Sequence, residues 1–297
     1  MTPIDNFVYH SLSGFMDLIG RFSSSTGRFL GRILGSVWFA VDRKHRHLCL
    51  DNLNHAFAKE KSQQEIKRIA RNVFNNTAAM VFEHARFYRL GPGKASLDMN
   101  VRGLENLNQA YARGKGVICF SAHLGNWELA SSIAVITGFP FAVVYKIMEY
   151  PPFEKYITDK RNATGCTMLP LHNALDQIRR CLADGGIAGL IVDQNTRKRH
   201  QAVFVDFMGR KASAASGPAK LALSTGAPVV PVFFFKENNT YTLEILPERP
   251  LIKTGDHARD IFENTQQYHS LIESYVRKYP DQWFWLHNRW RTRPLDE

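Results

Sequence analysis

Cysteine is scarce and scattered: Cys49, Cys119, Cys166 and Cys181 form no Cys-x-x-Cys pair and no metal-ligand spacing. A disulfide framework is therefore excluded. With Cys119 and Cys181 inside apolar stretches, the pattern predicts reduced structural thiols in a cytoplasmic compartment. Long hydrophobic runs are missing too. Phe29 to Val41, the longest apolar stretch near a terminus, falls short of the roughly 20 residues needed to cross a bilayer. Phe7 to Phe22 is interrupted by Ser, Gly and charge too often for a secretory h-region. The chain contains neither His-Glu-x-x-His nor Gly-x-Ser-x-Gly, so neither a zinc hydrolase nor a serine nucleophile on a sharp elbow has support, and no metal or organic cofactor is expected. Acidic residues are outnumbered, 27 Asp plus Glu against 38 Lys plus Arg, giving +11. That balance favours phosphorylated lipid, anionic membrane or an acidic carrier protein, and equally nucleic acid. Zinc-finger spacing, an RRM consensus and a KH glycine loop are all absent, so nucleic acid is not an expected partner.

Near the N terminus, Phe7, Leu12, Phe15, Met16, Ile19 and Phe22 recur at near-helical spacing, with Arg21, Arg28, Arg32, Arg43, Lys44 and Arg46 nearby. Residues 1–45 are read as amphipathic helices that lie in a membrane interface or pack on the rest of the protein. Arg43 to Tyr88 keeps helical periodicity until Gly91-Pro92-Gly93. From there the period changes. Gly116 to Ser121, Phe141 to Ile147, Thr167 to Leu171 and Ile187 to Val192 read as buried strands. Asn126 to Thr137, Pro152 to Ala163, Ala174 to Ala183 and Ser216 to Ser224 read as helices between and after them. Val229 to Phe235 and Tyr241 to Leu246, flanking Glu237-Asn238-Asn239, predict an antiparallel hairpin. The expected fold is α/β, a mixed, mostly parallel sheet flanked by helices, over residues 46–297.

The chemistry centres on Ser121-Ala122-His123-Leu124-Gly125-Asn126-Trp127-Glu128. A His five residues before a carboxylate is a weak pattern, and His55 to Glu60 repeats it inside a helical run with no strand end and no glycine, as helix surface. His123 instead follows a buried strand directly, which puts it at a strand's carboxyl end, where open α/β sheets bind ligands. Gly125 permits close backbone approach, and Glu128 could fold back toward the imidazole. An imidazole, with an ordinary pKa of about 6.5, can take a proton from an alcohol, while a carboxylate on its other nitrogen fixes the tautomer. The same pair could activate water, so a hydrolase stands as the alternative.

The segment from Ser121 to Glu128 resembles the HxxxxE motif of the late lipid A acyltransferases of Gram-negative bacteria. The resemblance extends to Asp193-Gln194-Asn195, Val203 to Gly209, Ala212 to Ala222, Pro228 to Pro231 and Trp283 to Pro294. It implies a glycerolipid-acyltransferase-like fold with a helical, membrane-associating N-terminal extension, at the cytoplasmic face of the inner membrane. It further implies an acyl-carrier-protein thioester as donor and a hydroxyl of a lipid A precursor as acceptor, with another glycolipid or an aminolipid as the alternative acceptor. His123 would be the general base and Glu128 its partner, with Arg161 near an oxyanion or phosphate. Gly125, Asn126 and Asp193 would contact substrate. By charge and by its place beside the strand-end crevice, the basic run Arg197, Lys198, Arg199 reads as a contact for acceptor phosphates or the acidic face of a carrier protein, with a solvated charged loop as the alternative. The chain departs from the family pattern in lacking a strongly apolar N-terminal anchor and in having Asn195 where Asp is frequent.

Overall fold

A computed structural model describes residues 1–91, 93–94, 99–196 and 202–294. Four helices come first. In α1, Pro3–Ile19, Thr2 and Asp5 cap each other reciprocally, Asp5 N–H donating to Thr2 Oγ1 at 3.1 Å and Thr2 N–H to Asp5 Oδ2 at 2.7 Å. Ser23 caps α2, Ser24–Val41, and Asp42 caps α3, Arg43–Phe57. A second reciprocal cap, Ser62 with Glu65, starts α4, Gln63–Leu90, which ends where Gly91 turns to φ +83°. The region read as continuous helix from Arg43 to Tyr88 is thus two helices. The His55 and Glu60 copy of the motif straddles the break, with His55 against Trp290 and Glu60 accepting from Arg277 Nη1 at 2.8 Å.

α2 lies against α4 through glycine. Gly27, Gly31, Gly35 and Phe39, four residues apart, are its buried positions. A Cβ on Gly31 would stand 2.5 Å from the Ala79 Cα, so the two backbones touch where side chains would otherwise hold them apart. The opposite faces of α1 and α2 stay bare: Ile4, Phe7, Phe15, Phe29, Leu34, Val37 and Val41 are each more than half exposed. Among the described residues no helix is long and apolar enough to cross a membrane.

The remainder alternates β1 (Asn100–Arg102), α5 (Leu104–Tyr111), β2 (Val117–Ser121), a 3-10 helix (Trp127–Ser132), α6 (Ile133–Thr137), β3 (Phe141–Tyr145), α7 (Pro151–Asn162), β4 (Thr167–Pro170), α8 (Ala174–Ala183) and β5 (Ile187–Ile191). The hairpin β6 (Ala202–Phe207) and β7 (Arg210–Ala215) follows, then α9 (Gly217–Thr225), β8 (Val229–Glu237), β9 (Thr240–Ile245) and α10 (His257–Lys278). Seven strands form one sheet in the order β1-β9-β8-β2-β5-β3-β4. The five from β8 to β4 are parallel, and β9 turns back on β8 through Asn238 and Asn239, both at positive φ, as a two-residue hairpin requires. The α/β expectation and the parallel strands are therefore observed. The α5 helix, the β6–β7 hairpin and the 22-residue α10 are additions that the sequence pattern did not announce.

Both faces of the sheet are covered. Ile118, Phe120, Phe233 and Phe235 pack with Tyr268, Ile272 and Val276 of α10, while Val117, Cys119, Val230 and Phe234 pack with Leu107 and Ala110 of α5. Two-sided burial is why these strands read as unbroken apolar runs.

Overpacking at the helix contact gives a direct test: Gly31→Leu should lower the free energy of unfolding by about 1–3 kcal/mol. Gly14→Ala, at a position with nothing within 4 Å of the added Cβ, should raise it by up to about 1 kcal/mol, both read from urea unfolding.

Candidate active site

β2 and β5 are neighbours in register, Ser121 opposite Ile191, so the residues two positions beyond each strand, His123 and Asp193, emerge side by side. The His123 Nδ1 lies 2.7 Å from Asp193 Oδ1, and the His123 N–H donates to Asp193 Oδ2 at 2.9 Å. Trp283 Nε1–H also donates to Oδ2, at 2.6 Å. Asp193 is 1% exposed. Burial pushes its carboxyl up, but the imidazole and these hydrogen bonds outweigh burial and hold it down at about 2. An ionised carboxylate only accepts, so Nδ1 carries a proton, and in the neutral ring Nε2 then presents its lone pair. Consistent with that tautomer, the Gln194 amide nitrogen stands 3.3 Å from Nε2. Trp127 and Phe284 flank the ring, Trp127 edge-on with centroids 5.1 Å apart.

The C-terminal segment fixes this arrangement from behind. Phe284 N–H donates to the His123 carbonyl at 3.0 Å and Gly125 N–H to the Gln282 carbonyl at 2.9 Å. Further on, Asn195 N–H donates to His287 Nε2 at 2.9 Å, and the fully buried Arg289 donates to the Ser213 carbonyl at 2.5 Å.

Glu128 does not reach His123. Its two oxygens take the fork of Arg161, Nε at 3.0 Å and Nη2 at 2.5 Å, and His84 Nε2 of α4 stands 3.6 Å away. Burial works to raise the Glu128 carboxyl, yet His84 and Arg161 together bring it down to about 2. The residues after Gly125 form a 3-10 helix rather than a regular α-helix, and Glu128 points toward α4 and α7. Arg161 is accordingly a partner of Glu128 before it is a contact for any ligand.

Other expectations also shift. Gly125, at φ +58°, makes its close approach to β8: an added Cβ would lie 2.7 Å from the Phe234 carbonyl oxygen. Asn126 is fully buried and donates to Glu83 Oε2 at 3.3 Å, so it faces α4 rather than a crevice. Asp193, expected as a lining residue, is the imidazole's partner. Arg197, Lys198 and Arg199 lie outside the described residues. Sequence reasoning missed Glu83 and His84, and it named Gln194 and Trp283 only within the blocks of resemblance, without a role at the imidazole. Only Asp193 left a usable signal, its place just past a buried strand matching the place of His123.

A family model described as bacterial lipid A biosynthesis acyltransferase matches residues 6–292. The chain belongs to that family. The chain is 24% identical to the phosphatidylinositol mannoside acyltransferase of Mycolicibacterium smegmatis, over 74% of this chain and 73% of that protein. It is 22% identical to the lipid A biosynthesis palmitoleoyltransferase of Escherichia coli, over 91% and 86%. To the lipid A biosynthesis acyltransferase of Haemophilus influenzae it is 26% identical, over 84% and 77%. The protein is an acyltransferase of this lipid A and glycolipid family.

The depressed Asp193 carboxyl has a consequence for acid stability. Its contribution is complete above the ordinary carboxyl value and is lost as pH falls toward about 2. Between about pH 6 and pH 2 the loss from this group is on the order of 2 kcal/mol, so Asp193→Asn should show a shallower acid slope than wild type in urea unfolding. Equal slopes would mean that the carboxylate is not held low.

Proposed function

We propose that this protein moves a fatty acyl chain from an acyl-carrier-protein thioester onto a hydroxyl of a lipid A precursor, with His123 as general base and Asp193 as the carboxylate that orients it. The observation that carries this reading is the His123 Nδ1 to Asp193 hydrogen bond at the carboxyl end of the sheet, which makes Nδ1 the donor, so that in the neutral imidazole Nε2 is the nitrogen that can take a proton. In the reaction, Nε2 takes the proton of the acceptor hydroxyl as its oxygen attacks the thioester carbonyl carbon. The tetrahedral intermediate collapses with cleavage of the C–S bond, and the leaving thiolate recovers the proton from the imidazolium. Asp193 stabilises that imidazolium without taking its proton. An alcohol as the attacking group, rather than water, is favoured by membership of an acyltransferase family.

Glu128 and Arg161 form a buried ion pair on the flank of the site, and we assign them to positioning the 3-10 helix that carries Trp127 beside the imidazole. Residues 1–45 supply the membrane-facing extension: the bare apolar faces of α1 and α2 lie in the interface on the inner membrane's cytoplasmic side, and Arg43 and Lys44 meet anionic headgroups. The acceptor is drawn from the lipid A branch because three curated lipid A acyltransferases of this type match over 84% to 91% of the chain.

Radiolabelled acyl transfer from acyl-carrier protein to a tetra-acylated, phosphorylated lipid A precursor tests this. His123→Ala should abolish transfer, and Asp193→Asn should cost about 10³- to 10⁴-fold through the wrong tautomer. Glu128→Gln, acting on position, should cost about 10- to 100-fold. Full activity in His123→Ala would sink the mechanism. Transfer only to a mannosylated phospholipid would move the acceptor to the other branch and leave the mechanism standing.

A further inference from the structure

A two-lobed cavity lies on the far side of the His123 turn, between α2, α4 and the β8–β9 hairpin. One lobe is about 220 Å³ and the other about 380 Å³, and Arg28, Glu83, Lys236, Asn239 and Tyr241 line both. Gly125 closes one lobe and Leu129 the other, while His123 lines neither.

The cavity divides by chemistry. Glu83 is internally satisfied, accepting from Lys236 Nζ at 2.8 Å, from Asn126 Nδ2 at 3.3 Å and from the Tyr241 hydroxyl. Asp281 in the smaller lobe accepts from Asn72, at 3.3 Å. Arg28 and Arg32, by contrast, have no hydrogen-bond or ion-pair partner among the described residues, although Arg28 is half-buried. The larger lobe adds Arg86, tied to the Phe22 carbonyl at 3.2 Å, and a wall of Phe82, Phe87, Leu90, Met99 and Leu129. Two guanidinium groups without a hydrogen-bond or ion-pair partner, beside a lobe with one apolar wall, complement an anion that carries a hydrocarbon part.

We propose that this cavity binds a phosphate-bearing amphipathic lipid, its anionic group against Arg28 and Arg32 and its apolar part in the Phe82–Leu129 lobe. His123 lines neither lobe; an acceptor headgroup as occupant rests on the reading given above, whereas a bulk phospholipid as occupant does not. Two sources share this chemistry, the phosphorylated headgroup of a glycolipid acceptor and an anionic phospholipid of the bulk membrane. α2 brings the cavity to the apolar surface of the protein, since Arg28 and Arg32 are interleaved with the exposed Phe29 and Ile33.

Calorimetric titration of the full chain tests the site with neither thioester nor acylation in the assay, so a failure of the transfer reaction and a failure of this site are told apart. The probes are dihexanoyl phosphatidic acid below its micelle concentration, dihexanoyl phosphatidylcholine and inorganic phosphate. Phosphatidic acid should bind saturably, at least tenfold tighter than either of the others. Arg28→Gln with Arg32→Gln should weaken it at least tenfold, as should Ser24→Trp, which fills the larger lobe from an exposed position. Displacement by a phosphorylated glycolipid but not by phosphatidylglycerol assigns the acceptor headgroup, and the reverse assigns the bulk lipid; either supports the site. No binding by the wild type, equal binding of the choline lipid or of phosphate, or unaltered binding in both variants would overturn it.

Discussion

The hydrogen bond between His123 and Asp193 depends on one register. Because Ser121 and Ile191 are opposed in adjacent parallel strands, the two strands leave the sheet at the same level, and His123 and Asp193 each lie two residues on. A slip of one residue would turn one of the two side chains to the opposite face. Burying an ionised carboxylate at that point is costly unless its lone pairs are taken. Asp193 meets that demand with the imidazole, the His123 N–H and the Trp283 indole. The last of these ties the C-terminal segment to the site, and its neighbours Gln282 and Phe284 then satisfy backbone groups of Gly125 and His123. One buried carboxylate thus accounts for why residues at the far end of the chain lie under the motif.

The second carboxylate obeys the same rule with different partners. Glu128 is buried beside α4 and α7, where it would be untenable alone, and the Arg161 fork with His84 supplies the compensation. Consecutive residues of α4 divide the work: Glu83 holds Asn126 and His84 stands by Glu128. The long helix is therefore a splint for the whole stretch from Asn126 to Glu128. Removing either member of the Glu128–Arg161 pair strands a charge, which is why we treat the pair as a positioning device whose loss is felt through geometry.

What was legible in the sequence was whatever depends on local pattern. The apolar runs named the parallel strands, Asn238-Asn239 named the hairpin, and the strand running into His123 singled it out from His55, which the structure leaves on a helix surface. Asp193 was legible as a strand-end residue but not as the partner of His123, because spacing along the chain made Glu128 the nearer candidate while the sheet order made Asp193 the nearer neighbour. Strand order is a property of long-range pairing that no local window carries. α10 escaped notice for a related reason: its buried face includes Asp260, Asn264, Thr265 and His269, polar residues that the fold satisfies internally and that dilute the apolar periodicity.

The N-terminal helices show how one contact can serve two surfaces. Packing α2 on α4 through glycine brings the backbones together with little of the side-chain surface of α2 consumed, so its large apolar residues remain outward. A helix docked in the usual way, through leucine and phenylalanine, would have hidden the same residues. Phe29, Leu34, Val37 and Val41 are each more than half exposed. The charge of this region is uneven as well, with Arg28 and Arg32 turned to the cavity beside the motif and Arg43 and Lys44 exposed just past the end of α2. A single glycine stripe therefore determines both how the extension is held and which face it offers, while Arg28, next to Gly27 in the chain, lines a cavity together with Gly125 of the turn that carries His123.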